Sequence, residues 1–170
     1  MSHLRIGTGM YGHMQEQLNN PWGIAYNPYS HQLLVGDGAN DRIQRFEIEY
    51  DPVFPQSQRI KFLSTIGSKG TAPLQFQSVR SVCYQPSSDH ILACDEYNHR
   101  VQILNEEGTK HLVSIGHPNH QPGDRAGEFR DPLGVNCQAD GSIGVADTYN
   151  HRIQLFDSRA TFLRTWKMIG

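Results

Sequence analysis

The sequence predicts an all-β protein made of three four-stranded antiparallel units, preceded by one orphan strand near the N-terminus. Three observations lead to this prediction. A nine-residue segment occurs three times, each copy belongs to a set of four strand-like segments, and the intervals between the segments are too short for crossover helices. Apolar residues fill the segments, and Pro, Gly, Asn, Asp or Ser bound them, so each unit is predicted to be an antiparallel meander.

The repeated segment runs over residues 36–44, 94–102 and 146–154, so successive copies lie 58 and 52 residues apart. A repeat of this length suits one four-stranded blade of a β-propeller. The similarity extends upstream, because residues 24–28 align with 82–86 without a gap and, after one deletion in a turn, with 135–138. The repeating unit is therefore a whole supersecondary module.

A fourth element of the unit, residues 62–67, returns at 112–116 and 162–166 and, more weakly, at 4–7. The weak copy predicts an orphan outer strand at residues 3–7 that belongs to a preceding blade. In the second unit the predicted strands are 81–85, 91–95, 100–105 and 111–115. The predicted divisions are 1–20 for the orphan strand and its loop, then 21–67, 68–116 and 117–170 for the three blades.

Every copy of the repeat contains Asp, Asn and Arg in the order Asp-x-x-Asn-x-Arg. Asp can accept backbone N–H bonds at the end of a strand, and Asn tolerates the left-handed conformation of a tight turn. Arg begins the return strand and can contact Asp or reach a neighbouring blade. Recurrence in every blade fits architecture better than one catalytic centre, so a structural role is predicted for Asp37, Asn40, Arg42, Asp95, Asn98, Arg100, Asp147, Asn150 and Arg152.

The segments Asn98-His99-Arg100-Val101 and Asn150-His151-Arg152-Ile153 resemble the motif that names the NHL repeat. The first copy departs from it, with Asp41 in place of His. A Gly-rich loop, Phe and Pro-x-Gly at residues 123–135 match the family's preceding pattern, whereas residues 79–82 lack both Pro and Gly. The resemblance covers essentially the whole chain and implies an NHL-type β-propeller.

Three blades are about half of the ring that this family usually builds, which leaves two sheet faces uncovered. Three explanations stay open. The chain is a fragment of a longer gene product, two copies pair to complete a ring, or the half-propeller persists alone. In the first two cases the rest of the propeller, from the same parent chain or from a second copy, is needed for closure.

Recognition is expected at the loops that join an outer strand to the next inner strand, residues 8–21, 67–79 and 116–132. Trp, Tyr and Arg are favoured at protein-binding hot spots, and the same residue types can bind single-stranded RNA. The candidate binding residues are Tyr11, Trp22, Lys69, Arg80, His120, Arg125 and Arg130. Asp124, Glu128 and Asp131 dilute the positive charge, so protein recognition is the leading hypothesis and RNA binding the alternative.

The family resemblance also implies a pathway, since similar ubiquitin ligases carry a RING before a propeller that selects partners. No closely spaced Cys/His set able to form a RING occurs in this sequence, although a longer parent chain could carry one. A related group of propellers cleaves peptidyl-hydroxyglycine with His-bound metal, and the nine histidines make this a third hypothesis. His99 and His151 belong to the repeat motif, however, so neither a metal nor a cofactor nor catalysis by this segment is predicted.

Charge and cysteine content bear on the class of partner and on the cellular compartment. The formal net charge of −2 gives no general attraction to nucleic acid or acidic membranes, and no apolar run reaches the length of a membrane span. The sequence opens without a charged-then-apolar leader. Three widely spaced cysteines do not indicate a disulfide framework, so a reducing, cytoplasmic location without membrane contact is expected.

Overall fold

The computed structural model describes residues 10–54 and 58–167, and the predicted orphan strand at residues 3–7 lies outside them. No α-helix occurs in the described residues, and none of their short helical turns is long or apolar enough to cross a membrane. The strands are β1 (Pro21–Asn27), β2 (Gln32–Asp37), β3 (Arg42–Tyr50), β4 (Gln58–Ile66), β5 (Ser68–Lys69), β6 (Gln75–Phe76), β7 (Val79–Gln85), β8 (His90–Asp95), β9 (Arg100–Leu104), β10 (His111–Gly116), β11 (Pro132–Cys137), β12 (Ile143–Asp147), β13 (Arg152–Phe156) and β14 (Phe162–Lys167).

Twelve of these strands form three four-stranded antiparallel sheets, β1–β4, β7–β10 and β11–β14, each in sequence order. The predicted all-β class and the three four-stranded units are thereby confirmed. The strands predicted in the second unit agree with β7–β10 to within two residues at each end. The short strands β5 and β6 pair in parallel between the first two sheets. Each sheet is called a blade below.

The blades pack side by side through apolar faces. Leu34, Ile43 and Ile66 of the first blade share a buried cluster with Val82 and Ile91 of the second. The opposite face of the second blade contributes to another buried cluster with the third, in which the third-blade members are Phe129, Val135, Ile143, Val145 and Phe156. Because the second blade is covered on both faces, every residue of β9 is buried.

The first strands of the three blades lie next to one another, with β7 in contact with both β1 and β11. Gly23 lies at a close approach of β1 to β7, since a Cβ built there would lie 2.7 Å from the Cα of Ser81. On the other side of β7, the Ser81 hydroxyl accepts a hydrogen bond from Val135 N at 3.2 Å. This close approach explains why Gly stands at position 23 of the first copy and how Ser is accommodated at position 81 of the second.

Candidate partner-binding site

The Asp and Arg of each repeat form an ion pair at the turn between the second and third strands of the blade, and the Asp is completely buried in all three. In the second blade Arg100 Nε donates to Asp95 Oδ2 at 2.7 Å, and Gln77 N donates to Asp95 Oδ1 at 2.7 Å. The corresponding Asp–Arg distances are 2.8 Å and 2.6 Å for Asp37–Arg42 and Asp147–Arg152. Each Asp thereby joins its turn to the segment that leads into the first strand of the same blade.

That segment is called the lead-in loop, residues 10–20, 70–78 and 123–131 for the three blades. Arg100 Nη2 donates to two carbonyls of the second lead-in loop, Ala72 O at 3.0 Å and Gln75 O at 2.8 Å. The guanidinium groups of Arg42 and Arg152 bind carbonyls of their own lead-in loops in the same way. Arg therefore holds a loop of its own blade, and the Asp–Arg pair with its loop contacts is called the latch.

Asn has a different role from the one predicted. Asn98 Nδ2 donates to the Asp95 carboxylate and to Gly70 O, each at 2.9 Å, so its amide is part of the latch. The left-handed residue is the next one along the chain, at the end of each 3-10 helix: Asp41 (φ 53°), His99 (φ 50°) and His151 (φ 53°). The prediction that Asn adopts the left-handed conformation was wrong, because the Asn amide must face inward to bridge the Asp carboxylate and the lead-in loop.

The left-handed residue connects one blade to the next. Asp41 Oδ1 accepts a hydrogen bond from Ser78 N at 2.7 Å, and Ser78 belongs to the lead-in loop of the second blade. His99 Nδ1 lies 3.2 Å from Asp131 N and 3.0 Å from the Asp131 carboxylate, in the lead-in loop of the third blade. The turn of each of these two blades thus holds two lead-in loops, its own and that of its successor.

A further member of the latch was missed from the sequence. Gln102 is completely buried; its Nε2 donates to Gln75 O at 2.7 Å, and its Oε1 accepts from Leu74 N at 3.0 Å. Gln44 and Gln154 occupy the same position in the other blades and are also completely buried. The available signal was the recurrence of a polar residue, two positions after Arg, within an apolar strand.

A cavity of about 420 Å³ opens on the surface formed by the lead-in loops and the turns, where the first blade meets the second. The guanidinium of Arg80 lies 4.4 Å from the centroid of the Trp22 ring, a cation–π contact. Glu96 pairs with Arg80 and fixes its orientation. Trp22 is 61% exposed and Tyr97 56% exposed. The lining consists of Asn20, Trp22, Gly38, Ala39, Asp41, Lys69, Gln77, Ser78, Arg80 and Tyr97.

This cavity, called the junction site, brings together three of the predicted binding residues: Trp22, Lys69 and Arg80. Tyr97 joins them, although sequence reasoning did not single it out. The sequence feature that could have identified Tyr97 is an aromatic residue at a turn position where the first copy of the repeat has Ala39. The remaining predicted residues do not line the cavity: Tyr11, His120, Arg125 and Arg130.

His120 lies instead beside the second latch, with Nε2 at 3.0 Å from Arg100 Nη1. Partial burial and the neighbouring Arg100 charge lower the pKa of His120, so it adds no positive charge near neutral pH. Arg125 and Arg130 are exposed and contribute backbone groups to the third latch. The basic residues predicted as one patch are therefore distributed over two blades.

The charges of the junction site are largely compensated. Glu96 pairs with Arg80, and Lys69 Nζ lies 3.7 Å from Asp41 Oδ2. What the site presents to solvent is two aromatic rings with a fixed guanidinium. Such a surface can bury an apolar side chain and hydrogen-bond a polar one. Within residues 10–54 and 58–167, no group of three or more His, Cys, Asp or Glu is arranged to hold a metal ion.

No protein-family model matches the sequence. The Arabidopsis thaliana protein SUPPRESSOR OF QUENCHING 1, chloroplastic, is 21% identical over 154 residues, which are 84% of this chain and 14% of that protein. The Caenorhabditis elegans B-box type zinc finger protein ncl-1 is 53% identical over 36 residues, which are 21% of this chain and 4% of that protein. The chain thus spans a small part of the length of these relatives.

Two solved structures resemble the whole described fold. Hydrazine synthase from Kuenenia stuttgartiensis matches with a TM-score of 0.63 at 14% identity, over 95% of this chain and 39% of that one. A streptogramin B lyase structure matches with a TM-score of 0.62 at 14% identity, over 97% of this chain and 44% of that one. At such identities the likeness concerns the fold alone, and it matches the three sheets to part of a propeller.

Proposed function

We propose that this chain is a scaffold that recognises a protein partner, from the premise that its fold is that of part of an NHL-repeat propeller. The propeller fold is consistent with a binding scaffold. The observation that carries the proposal is the junction site, in which Trp22 and Tyr97 stay exposed beside a guanidinium held in place by Glu96. Exposed aromatic rings next to a fixed Arg are typical of binding hot spots.

The wider setting is also a proposal. We infer that the propeller selects substrates for a ubiquitin-ligase-like protein of the cytoplasm and has no catalytic activity of its own. The short stretch similar to a B-box type zinc finger protein supports the assignment to a ubiquitin-ligase-like protein. The three cysteines, which are free thiols, support a reducing compartment.

Single-stranded RNA is the second candidate ligand, because exposed aromatic rings can stack on bases. The charges of the site argue against it. RNA binding relies on uncompensated Lys and Arg near the phosphates, whereas Arg80 is paired with Glu96 and Lys69 lies beside Asp41. A protein surface with mixed charge fits the junction site better.

Affinity capture with the chain and with its Trp22→Ala and Tyr97→Ala variants tests the proposal. We expect a specific protein partner whose recovery falls about tenfold or more in each variant, since hot-spot truncations cost about 2 kcal/mol or more. Arg80 is left unchanged, because its removal would leave the buried Glu96 carboxylate without its partner.

Tyr29→Ala is the matched control. Tyr29 is 90% exposed but lies in the turn between β1 and β2, at the other end of the first blade. A partner lost equally from all three variants, or retained by all, would contradict the assignment to the junction site. In parallel, the chain is titrated with short single-stranded RNA at low salt. Salt-sensitive binding abolished by Trp22→Ala would replace protein recognition with RNA binding.

A further inference from the structure

A second cavity, of about 450 Å³, opens on the face of the third blade that points away from the second. It is lined by Thr148, His151, Arg152, Ile153, Trp166 and Lys167. Ile153 is 45% exposed and Trp166 51% exposed, although the two residues are paired across β13 and β14. A surface that exposes two large apolar side chains beside a polar rim is typical of an interaction site.

The other two blades show what fills the corresponding place. Val101 and Ile115, paired across β9 and β10, share a buried cluster with the completely buried Phe129 of the next lead-in loop. The same arrangement occurs between the first two blades, where the Phe is Phe76 and the paired residues are Ile43 and Ile66. In both junctions, therefore, a Phe of the following lead-in loop packs with a pair of apolar residues on the preceding blade. Ile153 and Trp166 are the corresponding pair of the third blade.

The polar half of this contact also repeats. Two residues after each Phe, the lead-in loop contacts the left-handed residue of the preceding blade. Ser78 N donates to Asp41 Oδ1 at 2.7 Å, and Asp131 meets His99 Nδ1, with its N at 3.2 Å and its carboxylate at 3.0 Å. The third left-handed residue is His151, which lines the cavity beside Ile153. The cavity thus contains an apolar pair and a left-handed residue, the two groups that contact the following lead-in loop in the other two junctions.

We propose that this cavity binds a lead-in loop with the sequence Phe-x-Asp, supplied by another propeller blade of the same repeat class. Phe would insert beside Ile153 and Trp166, and Asp would pair with His151. Asp is chosen over Ser because His99 pairs with the Asp131 carboxylate, whereas Ser78 faces a carboxylate at Asp41. The segment is called the docking loop.

The first blade of a second copy fits this cavity less well. Its lead-in loop has Leu18 in the position of Phe76 and Asn20 in the position of Ser78, so it offers neither an aromatic ring nor a carboxylate. Leu18 is moreover packed against the buried cluster of Leu33, Val35 and Phe46 in its own blade. The lead-in loops of the second and third blades are already docked, since Phe76 and Phe129 are completely buried in the two junctions of their own chain. The occupant is therefore a blade other than those of this chain.

A peptide copy of residues 123–132, Gly-Asp-Arg-Ala-Gly-Glu-Phe-Arg-Asp-Pro, serves as the probe, with both ends blocked. The chain has two tryptophans, so NMR of their indole N–H groups separates this cavity from the junction site. We expect saturable binding that shifts the Trp166 signal and leaves that of Trp22 in place. A peptide with Phe129→Ala should bind about tenfold more weakly or worse, because the buried ring supplies most of the apolar contact.

The polar contact is tested by a double-mutant cycle. Asp131→Asn in the peptide should weaken binding to the unchanged chain but make little difference to the His151→Gly variant. Gly suits the left-handed backbone at position 151, so the variant loses the side chain without strain. Tyr29→Ala in the chain should leave peptide binding unchanged.

Three results would overturn the proposal. The first is no saturable binding at millimolar peptide, and the second is equal binding of the unchanged peptide and its Phe129→Ala variant. The third is a chain that sediments as a dimer in which Trp166 is shielded and the peptide does not compete, since the occupant would then be a second copy. None of these results bears on the junction site, which lies between the other two blades.

Discussion

The junction between the first and second blades and the junction between the second and third have the same framework but present different surfaces. Both are held by a latch and by a left-handed residue that contacts the next lead-in loop. In the first junction the guanidinium of Arg80 lies over the exposed ring of Trp22, whereas the equivalent positions of the second junction hold Arg80 and Leu133. Architecture and recognition are thus carried by different positions of one repeat, and each can be altered separately.

The largest effect is expected from breaking a latch. Asp95→Ala would leave Arg100, Asn98 and Gln102 buried without their shared carboxylate partner. Removing one partner of a buried pair costs about 3–5 kcal/mol. Denaturant unfolding should show a loss of this size for Asp95→Ala. Asp37→Ala should lose less, because the Arg42 side chain is 12% exposed and that of Arg100 only 3%.

Glu47→Ala is the control for that comparison, since its pair with Lys61 lies on the surface, with the Lys61 side chain 57% exposed. An exposed pair contributes about 0–1 kcal/mol. If Asp95→Ala destabilised the chain no more than Glu47→Ala, the latch would not be the common framework of the blades.

The two junctions also differ in their interior, and a second, smaller effect on stability is expected from this difference. Cys83 Sγ and Cys137 Sγ lie 3.1 Å apart between β7 and β11, whereas the corresponding residues of the first junction are Ala25 and Tyr84. Contact with Cys83 lowers the pKa of Cys137, while that contact and burial raise the pKa of Cys83. Cys137 is also the less buried of the two, so we expect its thiolate to attack first.

Oxidised glutathione should cross-link this pair. The Cys137 thiolate displaces one glutathione, and Cys83 then displaces the other, with the two cysteine protons leaving on the glutathione thiols. A disulfide that closes a loop of 54 residues should stabilise the chain by about 2–4 kcal/mol. Intact mass should fall by the two hydrogens, and Cys137→Ser should abolish both changes. A persistent glutathione adduct would show that the two sulfurs cannot meet.

The sequence was sufficient for the Asp–Arg pair of each latch and for the strands because both repeat, and a repeated pattern defines positions without knowledge of their surroundings. Asp95 and Arg100 are five residues apart, so a single hairpin brings them together. The role of Asn98 was misjudged because its bond to Gly70 O crosses 28 residues of chain. Local turn preference does not include such a contact.

Only some residues of the junction site could be predicted from the sequence, for a related reason. Trp22 and Arg80 occupy equivalent positions of successive blades, so alignment places them in the same column and says nothing of their contact. Stacking of the blades brings the guanidinium over the ring, and Glu96 rather than a ligand compensates its charge. The distribution of Arg125 and Arg130 away from that site follows from the same stacking.

The smallest effect concerns a latch that is incompletely bonded. Gln102 Oε1 accepts a hydrogen bond from Leu74 N, whereas Gln44 Oε1 is buried without a partner among the described residues. Gln102→Leu should therefore destabilise the chain by about 1–3 kcal/mol, since it leaves Leu74 N unsatisfied and removes one of the two hydrogen bonds to Gln75 O. Gln44→Leu also loses a bond to Gln17 O but removes the unpaired oxygen, so its cost should be smaller. Denaturant unfolding of the two variants measures the difference. Equal losses would mean that these two latches are energetically alike, and that the first blade is as tightly held as the second.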